Sequence, residues 1–133
     1  MKTALLCAGA LALLLLLPGC GPAASHSNTA AVILPPPPGY TPNLDQGRRL
    51  FAQSCAACHG AAGKGIPYLG KDFTQSSFVK ERGDAELVAF LKQGRPASDP
   101  ANTTRVDMPP KGGNPALTDE QLFHLVSHLR TLR

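Results

Sequence analysis

At 133 residues and 13.9 kDa the chain has room for one domain, and its 43% hydrophobic content overstates the core because much of it sits in one run, Ala4 to Leu17. A formal charge of +4, with the basic residues scattered and no run of five, gives no support to a nucleic-acid interface and leaves at most a weak preference for acidic partners. With no Trp, two Tyr and five Phe there is little aromatic bulk, so a small domain built from the remainder calls for a staple.

Lys2 precedes the apolar run, which is short for a membrane span and is broken by Pro18-Gly19 immediately before Cys20. The pattern predicts an export signal over residues 1–19. Its ending, Leu17-Pro18-Gly19-Cys20, resembles a bacterial lipobox, which implies that Cys20 is lipidated and becomes the mature N-terminus at a membrane; Pro18 stands where a small or aliphatic residue is usual. An uncleaved anchor or an ordinary secretory peptide are the alternatives. Residues 20–42 then read as a tether, in which Pro35-Pro36-Pro37-Pro38 favours extended polyproline and Val32-Ile33-Leu34 is an apolar exception.

From residue 43 to 133 the pattern is that of a helical domain. Asn43 is a candidate N-cap, and Leu44, Gly47, Leu50, Phe51 and Ser54 recur at helical spacing, with Asp45 in the first turn. This helix runs into Cys55-Ala56-Ala57-Cys58-His59, a CxxCH motif. In an exported chain that motif reads as a covalent haem c site, the two thiols closing thioethers to the porphyrin and His59 binding the iron. A thiol-disulfide site would belong in a βαβ pattern, which is absent; zinc would need a second ligand pair, for which His124 and His128, four apart on a helix, are the candidates.

Beyond the motif lies a glycine-rich loop, then Ile66-Pro67-Tyr68-Leu69-Gly70. Ser76 or Ser77 can cap a short turn, and Asp84 is the expected cap of a helix whose apolar side is Leu87, Val88, Phe90 and Leu91 and whose stop is Gly94. Arg95 and Asn102-Thr103-Thr104-Arg105 fall in the next loop. Met1 lies in the export segment, so Met108 is the available thioether for the iron, and Pro109-Pro110 stiffens the loop that carries it. Thr118 and Gln121 make a capping box ahead of Leu122, Leu125, Val126, Leu129 and Leu132, a terminal helix.

The CxxCH motif, the downstream proline, the methionine and the two end helices stand in an order that resembles the class I cytochromes c, over about residues 43 to 133. The resemblance implies an all-α fold around one covalent haem c, with the first and last helices crossing at Gly47 beside Phe51 and with His128 where an aromatic residue is usual. It implies that the Pro67 carbonyl receives the second ring N–H of His59, and that His59 and Met108 are the axial ligands. The function implied is electron transfer, not catalysis: a membrane-tethered carrier between a quinol-oxidising complex and a terminal oxidase, facing the periplasm or outer side of the cytoplasmic membrane. The alternative is a fixed subunit or docking module of such a complex; a peroxidase or ligand sensor would require loss of Met108.

Overall fold

The computed structural model describes residues 33–132; the expected export signal, Cys20 and the first part of the tether lie outside the described residues. Five α-helices are joined by loops: α1 (Leu44–Ser54), α2 (Ala56–His59), α3 (Ser77–Glu81), α4 (Asp84–Gln93) and α5 (Asp119–Thr131), with a 3-10 turn at Pro110–Gly113 before the last. Among the described residues there is no strand, only two isolated bridges, Ile66 with Gly70 and Arg95 with Met108. The architecture is the all-α small cytochrome c fold. No described helix is long and apolar enough to cross a membrane.

Local chemistry accounts for most of the helix ends. Asn43 caps α1 by accepting the Gln46 N–H, and Ser76 caps α3 by accepting from Val79. Thr118 and Gln121 close the reciprocal box at α5. One cap departs from expectation. Asp84 is the first residue of α4, not its cap; Gly83 takes the cap position, and Glu86 reaches back to accept its N–H at 2.7 Å. Asp84 is thereby freed to accept from Arg130 at 2.7 Å, joining the start of α4 to the end of α5.

The main packing is α1 against α5. Gly47 lies at their closest approach, where a methyl group would overlap the His124 carbonyl oxygen and stand 2.9 Å from His128 Cβ, so only glycine lets the backbones meet this closely. Phe51 sits beside it, its ring edge-on to His128 with centroids 5.5 Å apart. The imidazole thus fills the aromatic place at the crossing. Leu50, Phe51, Leu87, Val88, Leu91, Leu122, Leu125 and Val126 form the shared core with α4.

The folded region starts ahead of Asn43. A turn closed by the Tyr40 N–H on the Pro37 carbonyl brings the Tyr40 ring onto His124, stacked at 5.1 Å, and against Phe123. Its hydroxyl lies 3.0 Å from Ser127 Oγ. The Asn43 N–H donates to His124 Nδ1 at 3.2 Å, which leaves that nitrogen unprotonated. Ile33 and Leu34, by contrast, are exposed.

Candidate functional site

Cys55 is both the last cap of α1 and the cap of α2, with φ −119° and ψ −34°. Its N–H bonds the Phe51 carbonyl, and its own carbonyl receives the N–H groups of Cys58 and His59 at 3.1 and 2.9 Å. The chain therefore turns through one kinked helical element, which brings Cys55, Cys58 and His59 to one cavity wall. The two cysteines are not bridged. Burial, with Cys58 alongside, pushes the Cys55 thiol up to about 11. A thiol held protonated at neutral pH is a poor nucleophile for disulfide exchange, which speaks against the redox alternative for CxxC.

His59 is buried and stacked on Phe73, with ring centroids 4.2 Å apart. Its Nδ1 lies 2.9 Å from the Lys71 carbonyl oxygen. A carbonyl can only accept, so Nδ1 carries the proton and Nε2 keeps a lone pair for a metal. This corrects the expectation for Pro67, whose place in the chain matched but whose carbonyl is not the partner. The loop closes a tight turn, Ile66 N–H to Gly70 O and Gly70 N–H to Ile66 O, each 3.1 Å, and so brings the first carbonyl after the turn, that of Lys71, to the ring. Gly70 permits this approach; a methyl group there would lie 2.6 Å from the Cys58 carbonyl carbon. Burial holds the His59 imidazole below its ordinary pKa, partly offset by the Lys71 hydrogen bond, so the ring is neutral, as ligation requires.

Met108 lines the same cavity. It pairs with Arg95 through two backbone hydrogen bonds of 2.8 Å, one in each direction, which fasten the loop to the end of α4. Gly94 has φ +71°, and a side chain there would run into the Met108 and Pro109 backbone. Between Arg95 and Met108 the loop is organised by Asn102, 5% exposed. Its Nδ2 donates to the Pro96 and Val106 carbonyls at 3.1 and 2.7 Å, while Oδ1 accepts from the Thr104 hydroxyl and from the Thr104 and Arg105 N–H groups. The expected polar run is therefore spent on shaping the loop.

Between the walls lies a cavity of about 640 Å³, within the size range of cofactor sites, lined by Leu69, Phe78, Leu87, Phe90, Leu91, Leu122, Leu125 and Leu129 besides the motif and Met108. The residues fit a haem on three counts. Two thiols and a neutral imidazole share one wall with a thioether in the same cavity. The lining is apolar, as a porphyrin face needs. And Arg95 brings a half-buried cation to the cavity lining: its guanidinium lies over the Phe78 and Phe90 rings at 4.9 and 4.8 Å, and its buried Nε is 3.1 Å from Asp99 Oδ2 yet lacks an aligned hydrogen bond. Such a donor suits an anionic periphery. Lys71, Gly70, Gly94 and Arg95's backbone are the site-building elements that sequence reasoning did not identify as such.

The zinc alternative does not assemble. Among the described residues no three His, Cys, Asp or Glu side chains gather as a metal site. His124 and His128 are occupied at the α1–α5 crossing, against Asn43, Tyr40 and Phe51.

Residues 42–129 match the family described as Cytochrome C oxidase, cbb3-type, subunit III. Among curated proteins, the chain is 38% identical over 65 residues to the cbb3-type cytochrome c oxidase subunit FixP of Azorhizobium caulinodans, covering 48% of this chain and 22% of that one. It is 29% identical over 87 residues to the subunit CcoP of Rhodobacter capsulatus, covering 65% and 28%. It is also 31% identical over 87 residues to cytochrome c-555 of Prosthecochloris aestuarii, covering 65% of this chain and 85% of that one. The match thus spans roughly a quarter of the oxidase subunits but most of the small cytochrome. No solved structure matches significantly.

Proposed function

Since the chain belongs to the family of Cytochrome C oxidase, cbb3-type, subunit III, it is a c-type cytochrome with one covalent haem c, and we propose that Cys55 and Cys58 form the thioethers and that His59 and Met108 are the axial ligands. The observation that supports this assignment most is the single apolar cavity that all four side chains line. When bound, the haem supplies a one-electron ferric/ferrous couple. The chain's own residues do the rest. The Lys71 carbonyl fixes the His59 ring by accepting from Nδ1. The Arg95–Met108 backbone pair holds the thioether loop in place, and the Arg95 guanidinium would be a donor for the carboxylates of the cofactor. Phe78, Phe90 and the leucines exclude water. If His59 and Met108 both held the iron, it would keep no open position for a substrate, and the reading is therefore an electron carrier rather than an enzyme. In the ferric holoprotein the thioether-to-iron charge-transfer band is expected to vanish in Met108→Ala, which gains cyanide binding at neutral pH; a parent without that band would overturn the ligand assignment.

The wider role is a membrane-tethered carrier working with a terminal oxidase and a quinol-oxidising complex, held on the outer side of the cytoplasmic membrane by acyl chains on Cys20. Fatty-acid labelling lost in Cys20→Ala tests the anchor; label retained in that variant, or absent from the parent, counts against it. A second reading, a fixed oxidase subunit, is favoured by the names of the FixP and CcoP relatives, whereas coverage of 85% of cytochrome c-555 favours the carrier. A native sizing run after mild detergent extraction separates them: the carrier migrates alone and the subunit with its complex.

A further inference from the structure

His124 is a buried titratable side chain, 5% exposed, that the proposed electron chemistry does not use. The chain ahead of α1 is seated on it. The Tyr40 ring is stacked on the imidazole at 5.1 Å, and the Tyr40 hydroxyl lies 3.0 Å from Ser127 Oγ. Ser127 gives its own proton to the Phe123 carbonyl, so Tyr40 is the donor in that pair. The Asn43 N–H completes the seat by donating to His124 Nδ1 at 3.2 Å. The start of α1 is built from other contacts: the Asn43 side chain accepts from the Gln46 N–H at 2.9 Å, and the Asn43 carbonyl receives the Gly47 N–H at 2.9 Å. The arm of residues 37–42 can therefore leave α5 while α1 stays formed.

Only a neutral imidazole can hold this arm. Nδ1 accepts and so carries no proton, whereas an imidazolium donates from both nitrogens and would set an N–H against the N–H of Asn43. The titratable and charged groups around the ring give Nδ1 no replacement. On its own helix Glu120 stands at the other nitrogen, 3.8 Å from Nε2 and 61% exposed, so it eases a charge there only weakly. From the arm, Tyr40 offers the face of its ring, its hydroxyl being committed to Ser127. On α1, Asp45 is paired with Arg48 at 3.0 Å, and Arg48 is the charge acting on His128, one turn further along α5. Histidine changes charge between about pH 5 and 8, so the seat is one that mild acid can break. We propose that residues 37–42 form a pH-sensitive latch: protonation of His124 drives out the Asn43 N–H and unseats Tyr40, which frees the arm from α5. The freed arm adds up to about 20 Å to the tether, so the domain reaches further as the medium outside the membrane acidifies. The latch rests on the contacts above, and its effect on reach rests on the membrane-tethered reading.

Amide hydrogen exchange follows the latch, read by mass spectrometry on the full-length ferric holoprotein and referred to the unfolded chain at the same pH. At about pH 7.5 the peptide holding Tyr40 and Asn43 is expected to be protected, and at about pH 5 to lose about tenfold of that protection while α1 and α5 keep theirs. His124→Asn supplies an acceptor that does not titrate and should show no change between the two pH values. Glu120→Gln and His128→Phe should switch as the parent does. Equal protection of the parent peptide at both pH values would overturn the proposal. So would a switch that survives in His124→Asn, or one lost in Glu120→Gln or His128→Phe, because the trigger would then lie elsewhere. Protection lost throughout the domain at the lower pH would overturn it too, since the arm would then leave by unfolding. Fatty-acid label absent from the parent would instead refute the tethered reading and leave the latch in place, and the two failures are thus told apart.

Discussion

The α1–α5 crossing offers the sharpest test of how the domain is held together. In Gly47→Ala the new methyl would stand 2.8 Å from the His124 carbonyl carbon and 2.9 Å from His128 Cβ, and closer still to the His124 oxygen. Ordinary carbon contacts need about 3.5–4.0 Å, so the helices must part by roughly 1 Å. The obstacles are mostly backbone of a well-packed helix, not the far end of a flexible side chain, so the cost belongs at the upper end of the ~1–3 kcal/mol seen for overpacking. Alanine returns about 1 kcal/mol of helix propensity, leaving a net loss of about 2 kcal/mol. For a domain of this size that lowers the melting temperature by about 8–16 °C. Circular dichroism melts of the ferric holoprotein measure it, with exposed Arg49→Ala as control. If Gly47→Ala melts at or above the parent temperature, propensity has won and the close approach does not limit stability.

Three further outcomes follow from the site. Pro67→Ala is expected to leave the reduction potential and Soret band as in the parent, since His59 donates to Lys71; a large shift in either would restore the proline as partner. Asn102→Ala removes a side chain that makes five hydrogen bonds in the loop before Met108 and should cost about 3 kcal/mol in chemical denaturation, because buried partners are left unpaired; a loss below about 1 kcal/mol would mean the loop is held otherwise. Burial, with Arg48 adding to it, holds the His128 imidazole below its ordinary 6.5, so the unfolded chain binds the proton more readily. Its contribution to stability is therefore full above pH 6.5 and is lost as pH falls through the lower folded value. His128→Phe should flatten that part of the stability profile, and an unchanged profile would refute the assignment.

What the sequence disclosed and what it withheld divide along physical lines. Helix ends at Asn43, Ser76 and Thr118 were legible because capping is settled within three or four residues by side-chain type. The glycine at the crossing came from the resemblance to the class I cytochromes c, which implies a small residue there, beside Phe51. The partner of His59 was not, because every residue offers the same carbonyl and only the turn at Ile66–Gly70 decides which one arrives. Gly83 displaced Asp84 as cap for a tertiary reason, the demand of Arg130 for a carboxylate. Tyr40 read as tether because its neighbours are prolines, whereas its ring is claimed by Phe123 and His124, more than eighty residues away. Arg95 read as loop polarity; its pairing with Met108 depends on a bridge between two loop segments with no periodic signal.

The seat of Tyr40 also determines how the domain hangs. On α5, Leu122, Leu125 and Leu129 face the cavity, while Tyr40 is stacked on Phe123 and His124 and bonded to Ser127, about half a turn round the same helix. The leading chain thus leaves from the back of the molecule. The stacked ring and the Asn43–His124 hydrogen bond fasten that leading chain to α5.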